Sequence, residues 1–306
     1  MARRRLRGVR NRLKRTGNTV VDQAALGLLK TLRLTNPRHL VPLSAAILRR
    51  LGPLMPEHRL GRANLRAAFP EKSAAEIEAI LREVWDNLGR VSAEVVHLDR
   101  LFEQDRISAG DYVQGTPRSF ELYDRIRGRK KPALFFGAHL ANWEVLAAVA
   151  KVTDVPLTVL FRPPNLRAVG DAIVKLRTEA MGTIIAAGSH ALFKIKGAME
   201  RGENVAMLVD QHLTQGVDVT FFGRPAKANP TFGMLARAFD CDIYGGRSIR
   251  LPDHRLLIDI AGPIEVPRDA DGLIDVAGTM QAVTSVIEGW VREHPGQWLW
   301  LHRRWR

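Results

Sequence analysis

From about residue 130 onward, short apolar runs of strand type alternate with helical patterns. That alternation restricts the fold more than any other feature of the chain. The strand candidates are Ala133–Phe136, Leu157–Phe161, Val205–Val209, Val217–Phe221, Asp242–Gly245 and Arg255–Ile260. Helical periodicity fills several of the gaps, at Trp143–Lys151, Leu166–Met181, Leu192–Arg201 and Phe232–Phe239. A further helical pattern at Ile274–Glu293 reads as a terminal helix ended by Pro295-Gly296. Strands that alternate with helices pair in parallel, because the chain needs a crossover of about a helix's length to return to the same edge. The expected fold class is α/β, with a mainly parallel central sheet covered by helices.

Residues before 110 show no convincing strand. Leu60–Phe69 is helical until Pro70 stops it, and Ser73-Ala-Ala-Glu76 reads as a capping box. Behind that box Ile77, Ile80, Leu81, Val84 and Leu88 mark an apolar stripe that continues through Val91 and Val95. Earlier still, Val21, Ala24, Ala25, Leu28, Leu29 and Leu32 fall on one helical face, and an apolar stretch from His39 leads into Arg49-Arg50. The chain opens on Arg3, Arg4, Arg5, Arg7, Arg10, Arg12, Lys14 and Arg15, with no acid before Asp22. The division expected is a basic arm at 1–18, a helical membrane-associated annex at 19–110 and an α/β core at 111–306. A basic arm followed by amphipathic helices suits a protein lying on a membrane, although helices that merely cap a core show the same periodicity.

The net charge of +14 over 306 residues attracts anionic lipid or nucleic acid through the same electrostatics. Asp22, Lys30 and Arg33 interrupt any secretory signal behind the arm. The longest stretch without a formal charge, Ala180–Phe193, is fourteen residues, short of the roughly 20 that span a bilayer. A transmembrane protein is therefore not expected. The single cysteine, Cys241, excludes an internal disulfide and fits a reducing compartment. Its apolar neighbours suggest a buried structural thiol.

The stretch with most chemistry in it is Pro132–Ala150, which runs from a strand through Gly137-Ala-His-Leu-Ala-Asn-Trp-Glu144 into a helix. Strand ends facing helix starts are where open α/β sheets carry their sites. Asn142 is placed to cap the helix, and Glu144 would sit in its first turn, ionised and within reach of His139. A carboxylate that fixes one imidazole nitrogen leaves the other to take a proton, which is a general base with its orienting partner. The spacing alone is weak, since His254 and Asp259 repeat it. That second pair lies in an alternating strand, where a separation of five puts side chains on opposite faces. Other polar groups also fall at strand ends. Arg162 precedes two prolines and could pair with a phosphate or an oxyanion. Asp210-Gln211-His212 offers ligand contacts or a helix cap. Phe221-Phe-Gly-Arg-Pro-Ala226 joins a strand to the next helix with Arg224 facing out. The tail Trp298-Leu-Trp-Leu-His-Arg-Arg-Trp-Arg suits a membrane interface, or stacking on single-stranded nucleic acid.

Taken in order, these pieces resemble the lipid A biosynthesis lauroyl/myristoyl acyltransferases, within the lysophospholipid acyltransferase superfamily. The likeness rests on Asn64-Leu-Arg-Ala-Ala-Phe-Pro, Gly137–Glu144, Phe161-Arg-Pro, Asp210-Gln, Phe221–Ala226 and the tail from Pro295. It implies that His139 and Glu144 are the catalytic pair of an HX4E motif. It also implies substrate contacts by Arg162, with Asn142, Asp210 and Arg224 as further candidates. The implied reaction passes a fatty acyl chain from acyl carrier protein to a hydroxyl of a phosphorylated glycolipid acceptor, a lipid A precursor of the Kdo-lipid IVA type. No metal or cofactor is implied, and nucleic acid is not an expected partner. The implied place is an anionic membrane surface, the cytoplasmic face of the inner membrane. Two other readings stand beside it: an acyltransferase acting on another membrane glycolipid or phospholipid, such as a phosphatidylinositol mannoside, and a non-catalytic basic protein that binds membranes or nucleic acid.

Overall fold

The structure, a computed structural model, describes residues 21–101, 112–129, 131–162 and 167–305. The basic arm expected at 1–18 lies outside them. Helical backbone runs through 21–33, followed by α1 (Pro37–Leu51), α2 (Pro56–Ala68), α3 (Ala74–Val96) and the single turn α4 (Leu98–Leu101). Asn36 caps α1 by accepting from the Arg38 amide, with Pro37 at the first helical position. The capping box of α3 forms as expected, with Ser73 and Glu76 each bonding the other's backbone N–H. The α3 stripe of Ile77, Ile80, Leu81, Val84 and Val91 is buried. Helix α1 lies close along α3 because residue 89 is glycine: a Cβ there would meet Ala45 Cα and Ser44 O at 2.6 Å.

Among the described residues seven strands form one sheet, in the order β1-β9-β8-β2-β5-β3-β4. They are β1 (Val113–Gly115), β2 (Leu134–Gly137), β3 (Leu157–Phe161), β4 (Ile184–Ala186), β5 (Asn204–Leu208), β8 (Ile243–Arg250) and β9 (Leu256–Ala261). Neighbours pair in parallel except for the β8–β9 hairpin. Around them stand α5 (Pro117–Arg127), α6 (Val145–Val152), α7 (Arg167–Met181), α8 (Ala191–Glu200), α9 (Thr231–Phe239) and α10 (Val276–Glu293). The fold is the α/β class the sequence indicates. One core, with Phe135, Val145, Ala148 and Ile258, lies on the α6 side of the sheet. The other, with Phe136, Met207, Phe232 and Val283, lies on the α10 side and takes in the α3 stripe.

Two expectations need correction. Phe221–Ala226 does not lead from a strand into a helix. It holds the turn between β6 (His212–Phe221) and β7 (Arg224–Ala228), a separate antiparallel hairpin. Phe222 and Gly223 both take positive φ, 53° and 66°, the backbone a two-residue hairpin turn requires. The tail, read as suited to a membrane interface or to nucleic acid, is instead a buried strap. Trp298, Trp300 and Arg304 are at most 1% exposed. The two indoles meet edge to face at 4.6 Å and pack with Phe69, Phe221 and Phe222, so the rings are buried in the core. Among the described residues no helix is long and apolar enough to cross a membrane.

Candidate active site

The register of the sheet brings the central residues together. β2 and β5 are parallel neighbours with Gly137 opposite Leu208, so the chains leave the sheet side by side, and two residues later come His139 and Asp210. Asp210 is buried, and its carboxylate accepts three hydrogen bonds. One comes from the His139 backbone N–H at 2.8 Å, one from the Trp298 indole N–H at 2.8 Å, and one from His139 Nδ1 at 2.8 Å. An ionised carboxylate only accepts, so this contact places the imidazole proton on Nδ1 and leaves the Nε2 lone pair unprotonated. The Gln211 amide nitrogen stands 3.5 Å from Nε2, and the Trp143 ring packs edge-on at 5.0 Å between centroids.

Burial alone would lower the basicity of His139. The charge of Asp210, its hydrogen bond and the charge of Glu144 outweigh burial and hold the imidazole above its ordinary value. Burial would likewise raise Asp210, but the facing imidazole and the hydrogen bonds it accepts hold it well below the usual carboxylate range. The two effects are one coupled interaction seen from either side.

The carboxylate that orients His139 is thus Asp210, where the sequence suggested Glu144. Glu144 is buried one residue before α6, and its carboxylate is gripped on both oxygens by Arg177 of α7, with Nε at 2.8 Å. Between His139 and Glu144 the loop turns at Ala141, which takes a left-handed φ of 44°. Asn142, a candidate substrate contact, is fully buried. Its amide donates to Glu94 of α3 at 2.8 Å and its oxygen accepts from the Glu144 N–H at 3.0 Å, so it faces the scaffold. Asp210 likewise backs His139 and is not itself open to a substrate. Arg224 stacks on Trp305 at 4.8 Å and is not on the cavity wall described next. Arg162 is exposed and does line that cavity.

The cavity has a volume of about 500 Å³ and runs from His139 under α6. His139, Trp143, Glu144, Arg162, Arg177 and Gln211 gather at its polar end, and Tyr123 also lines it. The remaining wall is apolar, with Phe135, Leu157, Val159 and Met181 among it, and α6 contributes Leu146, Ala147 and Ala150. Such a volume suits a drug-sized or acyl-sized ligand. Arg177, in mid-helix, carries no motif that would mark it, and Trp298, singled out with the tail, is found to serve the site only through its bond to Asp210. Among the described residues no group of three or more His, Cys, Asp or Glu is placed to hold a metal ion. Cys241 is buried, and burial pushes its thiol up to about 11, which leaves it a structural side chain.

Comparison with known proteins points to one family. A family model described as bacterial lipid A biosynthesis acyltransferase matches residues 10–306. The chain is 24% identical over 254 residues to the lipid A biosynthesis palmitoleoyltransferase of Escherichia coli (strain K12), covering 81% of this chain and 78% of that one. It is equally similar, with the same coverage, to a lipid A biosynthesis acyltransferase of Shigella flexneri.

Proposed function

The chain belongs to the bacterial lipid A biosynthesis acyltransferase family and is an acyltransferase, and from that membership we propose which groups it joins and how. It moves a fatty acyl chain from the thioester of acyl carrier protein to a hydroxyl of a lipid A precursor of the Kdo-lipid IVA type. The observation that carries this reading is an apolar cavity ending at His139 Nε2, the one ring nitrogen that Asp210 does not hold.

The acyl chain lies in the cavity with its thioester carbonyl at the polar end. His139 Nε2 takes the proton of the acceptor hydroxyl as the oxygen attacks that carbonyl. Asp210 keeps the ring in place and balances the imidazolium charge. The tetrahedral oxyanion is met by the Gln211 amide. It collapses with cleavage of the C–S bond, and the imidazolium proton passes to the departing thiolate. The products are an ester and a free carrier thiol, with no acyl-enzyme. Glu144 adds negative charge near His139 and fixes Arg177 against the cavity. The carrier is acidic and the acceptor phosphorylated, which gives a chain of net charge +14 a reason to be basic. Mass spectrometry of lipid A from a strain lacking the protein should show a species one acyl chain short; unchanged lipid A contradicts the assignment.

Arg162 is the residue proposed to grip an acceptor phosphate, exposed at the cavity and followed by prolines in the sequence. Arg162→Lys should then raise KM about tenfold with kcat little changed, because an ammonium cannot make the two-pronged contact. A fall in kcat alone would move the guanidinium to the oxyanion, and wild-type kinetics for Arg162→Ala would remove it from the site.

The proposed place of action is the cytoplasmic face of the inner membrane. Leu43, Ile47 and Leu51 of α1 recur every four residues, are each at least 44% exposed, and are continued by Leu54 and Met55. Arg38 and Arg50 are exposed on the same helix. An apolar stripe beside cations fits the interface of an anionic bilayer. Replacing Leu43, Ile47 and Leu51 together with serine withdraws several CH₂ equivalents per residue at about 0.8 kcal/mol apiece, which should weaken vesicle binding at least about tenfold. Sedimentation with phosphatidylglycerol vesicles checks this, and unchanged binding would take the stripe off the membrane.

A further inference from the structure

The loop from Ala138 to Glu144 carries both His139 and Glu144, and its backbone is bridged on one side to the tail, where the Ala141 N–H donates to the Gln297 carbonyl at 2.9 Å and the Leu299 N–H to the His139 carbonyl at 3.0 Å. It is held from behind by a buried polar cluster that the reaction does not touch. At its centre Glu94 of α3, with no exposed surface, receives both arms of Arg250 from β8 at 2.8 Å each. Tyr112 also donates to Glu94, and Asn142 donates at 2.8 Å, so the four acceptor positions of the carboxylate are filled. From there the bonds run into the loop. Asn142 accepts the Glu144 N–H, Ser248 donates to the Asn142 carbonyl at 2.7 Å, and Asn87 of α3 donates to the Ala141 carbonyl at 3.1 Å. Asn87 also accepts from Arg250 Nε at 3.0 Å, which ties both attachments to the same guanidinium.

Stability does not account for such a pair. Two buried charges are costly to desolvate, and apolar residues of similar size often do as well or better. What an ion pair with fixed two-pronged geometry supplies is position. The loop needs it, because Ala141 is held in a left-handed conformation that is strained for a non-glycine residue and persists only if its neighbours enforce it.

We propose that Glu94 and Arg250 are positioning residues for acyl transfer, acting through Asn142 and Asn87 to hold the His139–Glu144 loop in its working shape. The proposal rests on the acyl-transfer reading above. It makes α3 part of the active site and not only a support for α1: a helix of the N-terminal region supplies the carboxylate that sets the loop.

The test uses the full-length protein and two variants. Asn142→Ala cuts the link between Glu94 and the loop. Glu94→Leu with Arg250→Met removes both charges together, so that neither is left unpaired. Acyl transfer is followed by kcat and KM, folding by thermal unfolding, and the loop by hydrogen exchange of its amides. Both variants should lose about 10²-fold in kcat, the cost of a displacement near 1 Å, with KM within about threefold of wild type. Loop amides should exchange faster while those of β2 and β5 stay protected. Either variant, folded and turning over within about twofold of wild type, overturns the proposal. If the double variant does not fold, Asn142→Ala decides alone. If wild type itself transfers no acyl group, it is the acyl-transfer reading that has failed. Exchange then decides the clamp on its own: faster loop exchange supports it and unchanged exchange overturns it.

Discussion

Exchanging His139 for alanine should lower kcat by about 10²–10⁴-fold in a protein that remains folded, the usual cost of losing a positioned general base. The fold should survive because the side chain sits at the edge of the cavity, 15% exposed. Asp210 would still accept from the residue-139 backbone N–H and from the Trp298 indole, so no buried carboxylate is left bare. Thermal unfolding should therefore change little while turnover collapses. Near-normal turnover in the folded variant would take His139 out of the chemistry.

The second large effect is expected at Asp210, and it separates the two carboxylates near the imidazole. Asp210→Asn keeps the shape, but its amide can donate to Nδ1 and so move the ring proton to Nε2, where the lone pair is needed. A fall in kcat of about 10²–10⁴-fold should follow. The pH profile gives an independent sign. The base works as neutral imidazole, so kcat/KM rises with pH through the His139 value, which stands above the ordinary 6.5. Burial pulls that value down and the Asp210 charge pulls it up, so removing the charge should move the acid limb to lower pH. Glu144→Gln should move the limb less, because Glu144 acts on the ring only through its charge and spends its hydrogen bonds on Arg177. A larger shift for Glu144→Gln than for Asp210→Asn would return the orienting role to Glu144.

The chain shows in its order of residues what is local and hides what is distant. Strands such as Leu157–Phe161 announce themselves by composition, and the Ser73–Glu76 box fixes the start of α3 by chemistry contained in four residues. β1 and β4 were missed because three residues are too few to show a period, and β7 because Arg-Pro-Ala-Lys-Ala contains no strand former. His139 was found because it lies where a parallel strand ends. Its partner was not, because the pairing depends on β2 lying beside β5, a neighbourhood 71 residues apart in sequence. Spacing favours Glu144, five residues away, but its carboxylate is taken up by Arg177, a residue 33 positions further along the chain. The tail misled for a related reason. Tryptophans interleaved with cations look the same whether they face lipid or, as here, pack edge to face against other rings in a core.

The account stands most directly on one measurement: transfer of a radiolabelled acyl group from acyl carrier protein to a detergent-dispersed lipid A precursor, with wild type and the Asp210→Asn variant run in parallel across pH. It predicts a labelled glycolipid and an equal yield of carrier thiol from wild type, and far slower transfer with an acid limb at lower pH from the variant. An Asp210→Asn protein that matches wild type in rate and pH profile, or a wild type that leaves the thioester intact, would contradict it.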